Sequence, residues 1–168
     1  MYNDLSGSDE IFLTRNAIIG IAYMLYGSGA LRVSAAFSTS ISQPHTLNST
    51  GYLWSFLIGL LIFSTMSIQD LKDIEGDRLR NRKTAPLILN DRIARWLIAG
   101  PVAFWSIFCP LFWGVWIVIS FIPFGLGSWI AWRVVMGGGV ARDSMTWKIW
   151  SAWLATIYFL PVVKYYVG

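Results

Sequence analysis

The 168 residues are 55% hydrophobic, 16% aromatic and only 13% charged, where a soluble domain carries about a quarter charged residues, so the bilayer is read as the solvent of this chain. The net charge of +4 comes from basic residues interleaved with long apolar runs, a pattern of membrane topology that sets aside a nucleic-acid-binding face. A single cysteine, Cys109, excludes an internal disulfide and is read as a small buried side chain.

Residues 1–10 carry Asp4, Asp9 and Glu10 and no base. They lack the positive region of a cleaved signal peptide, and insertion is expected to rely on the first spanning helix. A span needs about 20 mostly apolar residues. Five segments meet that measure, near 16–37, 51–69, 94–112, 116–136 and 147–165. The third and fourth form one stretch too long for a single crossing. Pro110 is expected to divide it, because proline removes a backbone donor and clashes with the preceding turn, with a tight turn at Trp113-Gly114. The fold class predicted is all-α: a single membrane domain over residues 1–168, a polytopic bundle of about five transmembrane helices.

The loop 38–50 has no Asp, Glu, Lys or Arg and contains Asn48-Ser49-Thr50, a sequon compatible with a lumenal loop. His45 within it is given no role. Gly137, Gly138 and Gly139 are read as a helix stop rather than a phosphate cradle, since the Lys-Ser or Lys-Thr partner of a P-loop is missing. With residues 70–93 placed on the cytoplasmic side, eleven of the thirteen basic residues fall there: Arg15, Lys72, Arg78, Arg80, Arg82, Lys83, Arg92, Arg95, Arg133, Arg142 and Lys148. Arg32 and Lys164 lie toward the opposite face, near helix ends where long stems snorkel. All nine acidic residues fall on the cytoplasmic side as well.

Between Asp70 and Lys83, nine of fourteen residues are charged. Burying them in hydrocarbon would cost well over ~20 kcal/mol, so the segment is expected at the interface or along a wet cavity. Asp70, Asp73 and Asp77 stand at i, i+3 and i+7, which on a continuing helix puts three carboxylates on one face. Mg²⁺ suits such a face, since it takes one or two protein carboxylates and leaves other positions for water and phosphate oxygens. The basic run from Arg78 to Lys83 supplies donors for those phosphates. The bland alternative is a solvated mixed-charge loop that enforces topology. Placement at the mouth of a helix bundle favours the functional reading.

The run Gln69-Asp70-Leu71-Lys72-Asp73-Ile74-Glu75-Gly76-Asp77-Arg78, followed by Lys83-Thr84-Ala85-Pro86, resembles the second aspartate-rich motif of the UbiA superfamily of intramembrane prenyltransferases. It is most similar to the branch ending Glu-Gly-Asp-Arg, as in chlorophyll-synthase-like and related fungal proteins. Tyr2-Asn3-Asp4-Leu5 with Asp9-Glu10, the stretch Trp147-Lys148-Ile149-Trp150 and the helix order extend the likeness over essentially the whole chain. The resemblance implies a nine-helix fold around a cavity open to lipid, with two aspartate motifs that bind Mg²⁺ and an isoprenoid diphosphate. Carried over, Asp70, Asp73 and Asp77 are metal ligands, Asp73 and Asp77 forming the catalytic DxxxD core, and Lys72, Arg78 and Lys83 are diphosphate contacts. Arg80 and Arg82 are left as solvated or headgroup contacts. The family's first motif has no counterpart, as only Asp4, Asp9 and Glu10 precede Asp70. The chain is therefore expected to be the second half of such an enzyme, with a separate N-terminal half as a partner.

Two outcomes stay open by this resemblance: prenyl transfer to an acceptor, or cyclisation of farnesyl or geranylgeranyl diphosphate. Tyr23, Tyr26, Phe104, Trp105 and Tyr158 are candidate aromatics for stabilising an allylic cation, against ordinary packing as the alternative. A non-catalytic truncated relative or subunit is a further reading, and a small cation channel a weaker one. The expected location is a multi-pass membrane protein with the motif loop cytoplasmic, in the endoplasmic reticulum if the source is eukaryotic.

Overall fold

The computed structural model describes residues 11–37 and 48–167, with the side chains of 117, 118 and 167 left aside. Asp4, Asp9, Glu10, His45 and most of the expected uncharged loop lie outside the described residues. All described secondary structure is helical, as expected: α1 (Phe12–Phe37), α2 (Ser49–Thr65), a 3-10 segment (Met66–Lys72), α3 (Ile74–Leu79), α4 (Ala85–Leu89), α5 (Asp91–Trp113), α6 (Ile117–Met136) and α7 (Val140–Val167). Four stretches are long and apolar enough to cross a bilayer: Phe12–Phe37, Ser49–Lys72, Asp91–Trp113 and Ile119–Met136. Residues 147–165, the expected fifth span, lie inside α7. At 28 residues this helix is about 42 Å long, but it is not among the four stretches that meet the hydropathy measure. Lys148 and Lys164 lie within it.

The break between α5 and α6 falls where the sequence places it, for a different reason. Pro110 and Pro101 both sit inside α5. The helix ends at Gly114 (φ 57°, ψ 40°), a left-handed position that favours glycine. Gly114 N–H donates to Leu111 C=O at 3.1 Å and Val115 N–H to Pro110 C=O at 3.3 Å, the paired bonds of a Schellman stop. Lys164 Nζ donates to Gly114 C=O at 3.4 Å, bringing a cation to a helix C-terminus.

The buried residues of α5 (Ala94, Arg95, Ile98, Ala99, Val102, Trp105, Ser106, Cys109, Pro110) recur with helical period and form one stripe. That stripe packs with Ile58, Leu61 and Ile62 of α2, Ile130 and Val134 of α6, and Trp150, Trp153 and Ile157 of α7. Cys109 is buried there, as read. Helix α1 is peripheral and approaches α2 through glycine: a Cβ on Gly20 would lie 2.7 Å from the carbonyl oxygen of Gly59. At the start of α2 the sequon residue Asn48 is a helix cap, its side chain accepting from Gly51 N–H at 2.9 Å.

Near its end α2 tightens into the 3-10 segment. Ser64 Oγ and Thr65 Oγ1 donate back to the carbonyls of Leu60 and Leu61, a side-chain competition that disturbs the α-helical ladder. Asn16 of α1, buried, donates its amide to Phe63 C=O at 3.3 Å and to Ser67 Oγ at 2.8 Å. It thus ties α1 to the turn that carries the aspartate motif.

Candidate functional site

The motif does not ride on one continuing helix. The 3-10 segment ends at Asp73 (φ −122°, ψ 21°), and α3 begins after it. The common face expected for Asp70, Asp73 and Asp77 is therefore not formed, because spacing of i, i+3 and i+7 aligns side chains only along an unbroken α-helix. Asp70 and Asp77 are buried, at 3% and 2% exposure, whereas Asp73 is exposed. The Asp73 carboxylate folds over Gly76, where a Cβ would lie 2.5 Å from Oδ1. That approach accounts for glycine within Glu75-Gly76-Asp77.

Each buried carboxylate has an arginine. Arg15 Nη2, from α1, donates to Asp70 Oδ2 at 2.5 Å, and Arg82 Nη1 donates to Asp77 Oδ1 at 3.2 Å. The two pairs belong to one electrostatic cluster, with Asp77 and Arg82 acting on Asp70. The loop is held in register by Asp77 N–H to Asp73 C=O, Arg82 N–H to Asp77 C=O and Phe12 N–H to Lys83 C=O, at 2.8, 2.9 and 3.0 Å. Arg82 is thus no headgroup contact but the counter-ion of Asp77.

Lys72, expected on a diphosphate, lies with its ammonium 3.9 Å from the ring centroid of Trp147 on α7, a cation–π contact. Arg78 and Lys83 are exposed, as is Glu75. Among the described residues no three Asp, Glu, His or Cys side chains are gathered as a metal ligand set. With Asp70 and Asp77 already neutralised by guanidinium groups, the carboxylates as disposed here do not fit Mg²⁺.

Arg15 and Asn16 are site residues that sequence reasoning missed. Their signal was present: a charge and an amide open an otherwise apolar run, where neither is stable without partners. Another polar cluster lies nearby in the chain's topology but apart from the motif. Arg95 on α5 binds Asp143 on α7 through two bonds of 3.1 and 2.8 Å, and also Val134 C=O of α6 and Asp91. It joins three helices at the same end of the bundle.

Farther along α1, α2 and α7 an apolar cavity of about 560 Å³ is lined by Tyr23, Trp54, Ser55, Ile58, Tyr158 and Tyr165, among others. Tyr23 lies eight residues beyond Arg15, about 12 Å along the helix. Of the five aromatics singled out from sequence, Tyr23 and Tyr158 line this cavity. Tyr26 and Phe104 are exposed, and Trp105 is buried with its indole N–H on Ser64 Oγ at 2.9 Å.

The chain is 34% identical over 138 residues to the somaliensene A/B synthase of Streptomyces somaliensis, a match covering 77% of this chain and 45% of that protein. It is 30% identical over 131 residues to the diterpene cyclase eriG of Hericium erinaceus, covering 76% of this chain and 40% of the relative. It is 26% identical over 123 residues to the digeranylgeranylglyceryl phosphate synthase of Natronomonas pharaonis, covering 67% and 40%. The chain thus spans 40% to 45% of the length of these curated relatives. No solved structure matches it. The model of the UbiA prenyltransferase family matches residues 1–163, and the chain belongs to that family.

Proposed function

We propose that this chain supplies part of an intramembrane site for polyprenyl diphosphate chemistry, either prenyl transfer to an acceptor or terpene cyclisation. One arrangement supports this most directly. The charged cluster of Asp70, Asp77, Arg15 and Arg82 ties the start of α1 to the segment that follows α2, and an aromatic-lined cavity lies farther along the same two helices, between Tyr23 and Leu31 of α1 and Trp54 and Ile58 of α2. A diphosphate is recognised by arginine forks, while an apolar chain is taken up by an apolar cavity. Tyr23, Trp54 and Tyr158 turn a cavity of this kind toward carbocation chemistry, because ring faces attract cations. Their presence favours cyclisation as much as transfer, and the relatives include both a diterpene cyclase and a digeranylgeranylglyceryl phosphate synthase.

Enzymes of the family generally use Mg²⁺ through aspartate motifs. Mg²⁺ dependence, with Asp70, Asp73 and Asp77 as candidate ligands and Lys72, Arg78 and Lys83 as diphosphate contacts, belongs to this proposal for a rearranged site. So does completion by an N-terminal segment with a first aspartate motif. The remaining parts are α7 as a fifth span, the motif loop on the cytoplasmic side, and an endoplasmic reticulum location in a eukaryote.

The test is binding of geranylgeranyl diphosphate to the chain in nanodiscs, with and without Mg²⁺. Asp73→Asn and Asp77→Asn are each expected to weaken Mg²⁺-dependent binding about 10-fold or more, by loss of a charged ligand. Binding that ignores both Mg²⁺ and these substitutions would refute the proposal. Release of a cyclic hydrocarbon without acceptor, from an assembly that turns over, selects the cyclase.

A further inference from the structure

Two arginines flank the glycine turn from α6 into α7, and neither meets a carboxylate among the described residues: Arg133 near the end of α6 and Arg142 near the start of α7. The acid beside them in sequence, Asp143, is engaged by two bonds from Arg95. Arg133 is held through neutral acceptors: its Nε donates to Thr146 Oγ1 at 3.0 Å and its Nη2 to Arg142 C=O at 3.1 Å. These bonds orient the guanidinium fork and leave its charge uncompensated. Arg142 is the third residue of α7, where the positive end of the helix dipole disfavours a cation. Its Nε is buried without a hydrogen-bond partner. A Cβ on Gly138 (φ 137°) would run into Cδ of Arg142, so glycine there leaves room for that side chain to lie against the turn. Each guanidinium also faces an exposed indole, Arg133 Cζ at 5.7 Å from the ring centroid of Trp129 and Arg142 Cζ at 5.3 Å from that of Trp132.

The depth of this cluster points to its ligand. Arg133 lies in the last turn of the apolar stretch Ile119–Met136, at the boundary where lipid headgroups begin and tryptophan gathers. Around the turn Met136, Val140 and Met145 are exposed, apolar surface that suits acyl chains. We propose that the turn between α6 and α7 binds the phosphate of an anionic glycerophospholipid. Arg142 donates to it from Nε and the outer nitrogens, and Arg133 adds the donors that it does not use on α7. Trp129 and Trp132 flank the glycerol and the upper acyl chains. An anion here also complements the start of α7, which otherwise carries an uncompensated cation. A zwitterionic headgroup brings its own cation beside the phosphate, so two uncompensated guanidiniums select a headgroup of net negative charge.

Native mass spectrometry of the full chain, released from micelles containing equal phosphatidylglycerol and phosphatidylcholine, tests the assignment. The unsubstituted chain is expected to retain phosphatidylglycerol in preference by about 10-fold or more, and Arg133→Gln or Arg142→Gln to lower that preference about 5-fold each, the scale of single bases near an anionic surface. Arg142→Gln leaves the bonds of Arg133 in place, since Arg133 meets only the backbone carbonyl of Arg142, and it carries the test if Arg133→Gln unfolds. Lys148→Gln, at an exposed base on α7 outside the cluster, should leave the preference unchanged. Equal retention of the two lipids by the unsubstituted chain refutes the proposal. An effect of Lys148→Gln as large as that of Arg142→Gln also overturns it, because general attraction to negative charge is then being measured. Displacement of phosphatidylglycerol by millimolar inorganic phosphate would assign the turn to small phosphates and overturn the lipid.

Discussion

Ser106 on α5 and Trp153 on α7 are joined by a 3.0 Å hydrogen bond from the indole N–H to Oγ, made across Gly127 of α6. A Cβ on Gly127 would lie 1.8 Å from that oxygen and 3.2 Å from the indole nitrogen. Three helices thus meet at a point where only glycine leaves the bond intact. Gly127→Ala is expected to destabilise the chain by about 1–3 kcal/mol, the range of an overpacked core. Ser106→Gly should recover part of that loss in the double variant, since the two nearest atoms that the new methyl meets, Oγ at 1.8 Å and Cβ at 2.7 Å, belong to Ser106. Thermal unfolding of the four proteins in one detergent measures the coupling. Strictly additive losses would show that the crowding is relieved elsewhere.

The bidentate pair of Arg95 and Asp143, with side chains 9% and 2% exposed, is expected to be stabilising only as a pair. Asp143→Ala should cost about 3–5 kcal/mol by leaving a buried guanidinium without its main partner. The half-exposed Asp91 offsets little of this. The double replacement Arg95→Met, Asp143→Leu should lose much less than either single change, and unfolding midpoints decide it.

Helix α1 depends on one neighbour over most of its length. Gly20→Val should push α1 away from Gly59, because the nearest obstacle is a backbone oxygen that has no rotamer to yield. Hydrogen exchange is then expected to rise across residues 12–37 and to stay unchanged in the stripe of α5. Uniform loss of protection would contradict the peripheral position of α1.

For orientation, the expected arrangement places Arg80 and Trp116 on opposite sides of the bilayer. Each is exposed and suits replacement by cysteine in a Cys109→Ala background. An impermeant thiol reagent should label the two from opposite faces. Labelling of both from one face would overturn the topology and, with it, the cytoplasmic motif.

Much of this protein was legible as composition along a line. Apolar runs of spanning length and a turn at Trp113-Gly114 depend on short-range rules, and helices α1, α2, α5 and α6 lie over those runs. The reason offered for the α5 and α6 boundary was not legible. Pro110 stays inside α5, as Pro101 does, and the helix stops only at the left-handed Gly114.

The aspartate motif could likewise be seen but not arranged. Its residues, its charge density and its place at a span's end are properties of the sequence alone. Whether Asp70, Asp73 and Asp77 share a face depended on helix continuity, which is lost first where α2 passes into the 3-10 segment and again at Asp73. Which cation each carboxylate meets was decided by tertiary structure too: Asp70 receives Arg15 from 55 residues away, and Lys72 is taken up by Trp147 of α7. Charge opposite charge in sequence is common at such a density. Only the packing of α1, α2 and α7 selects which pairs are brought within hydrogen-bonding distance and buried from the water that would otherwise screen them.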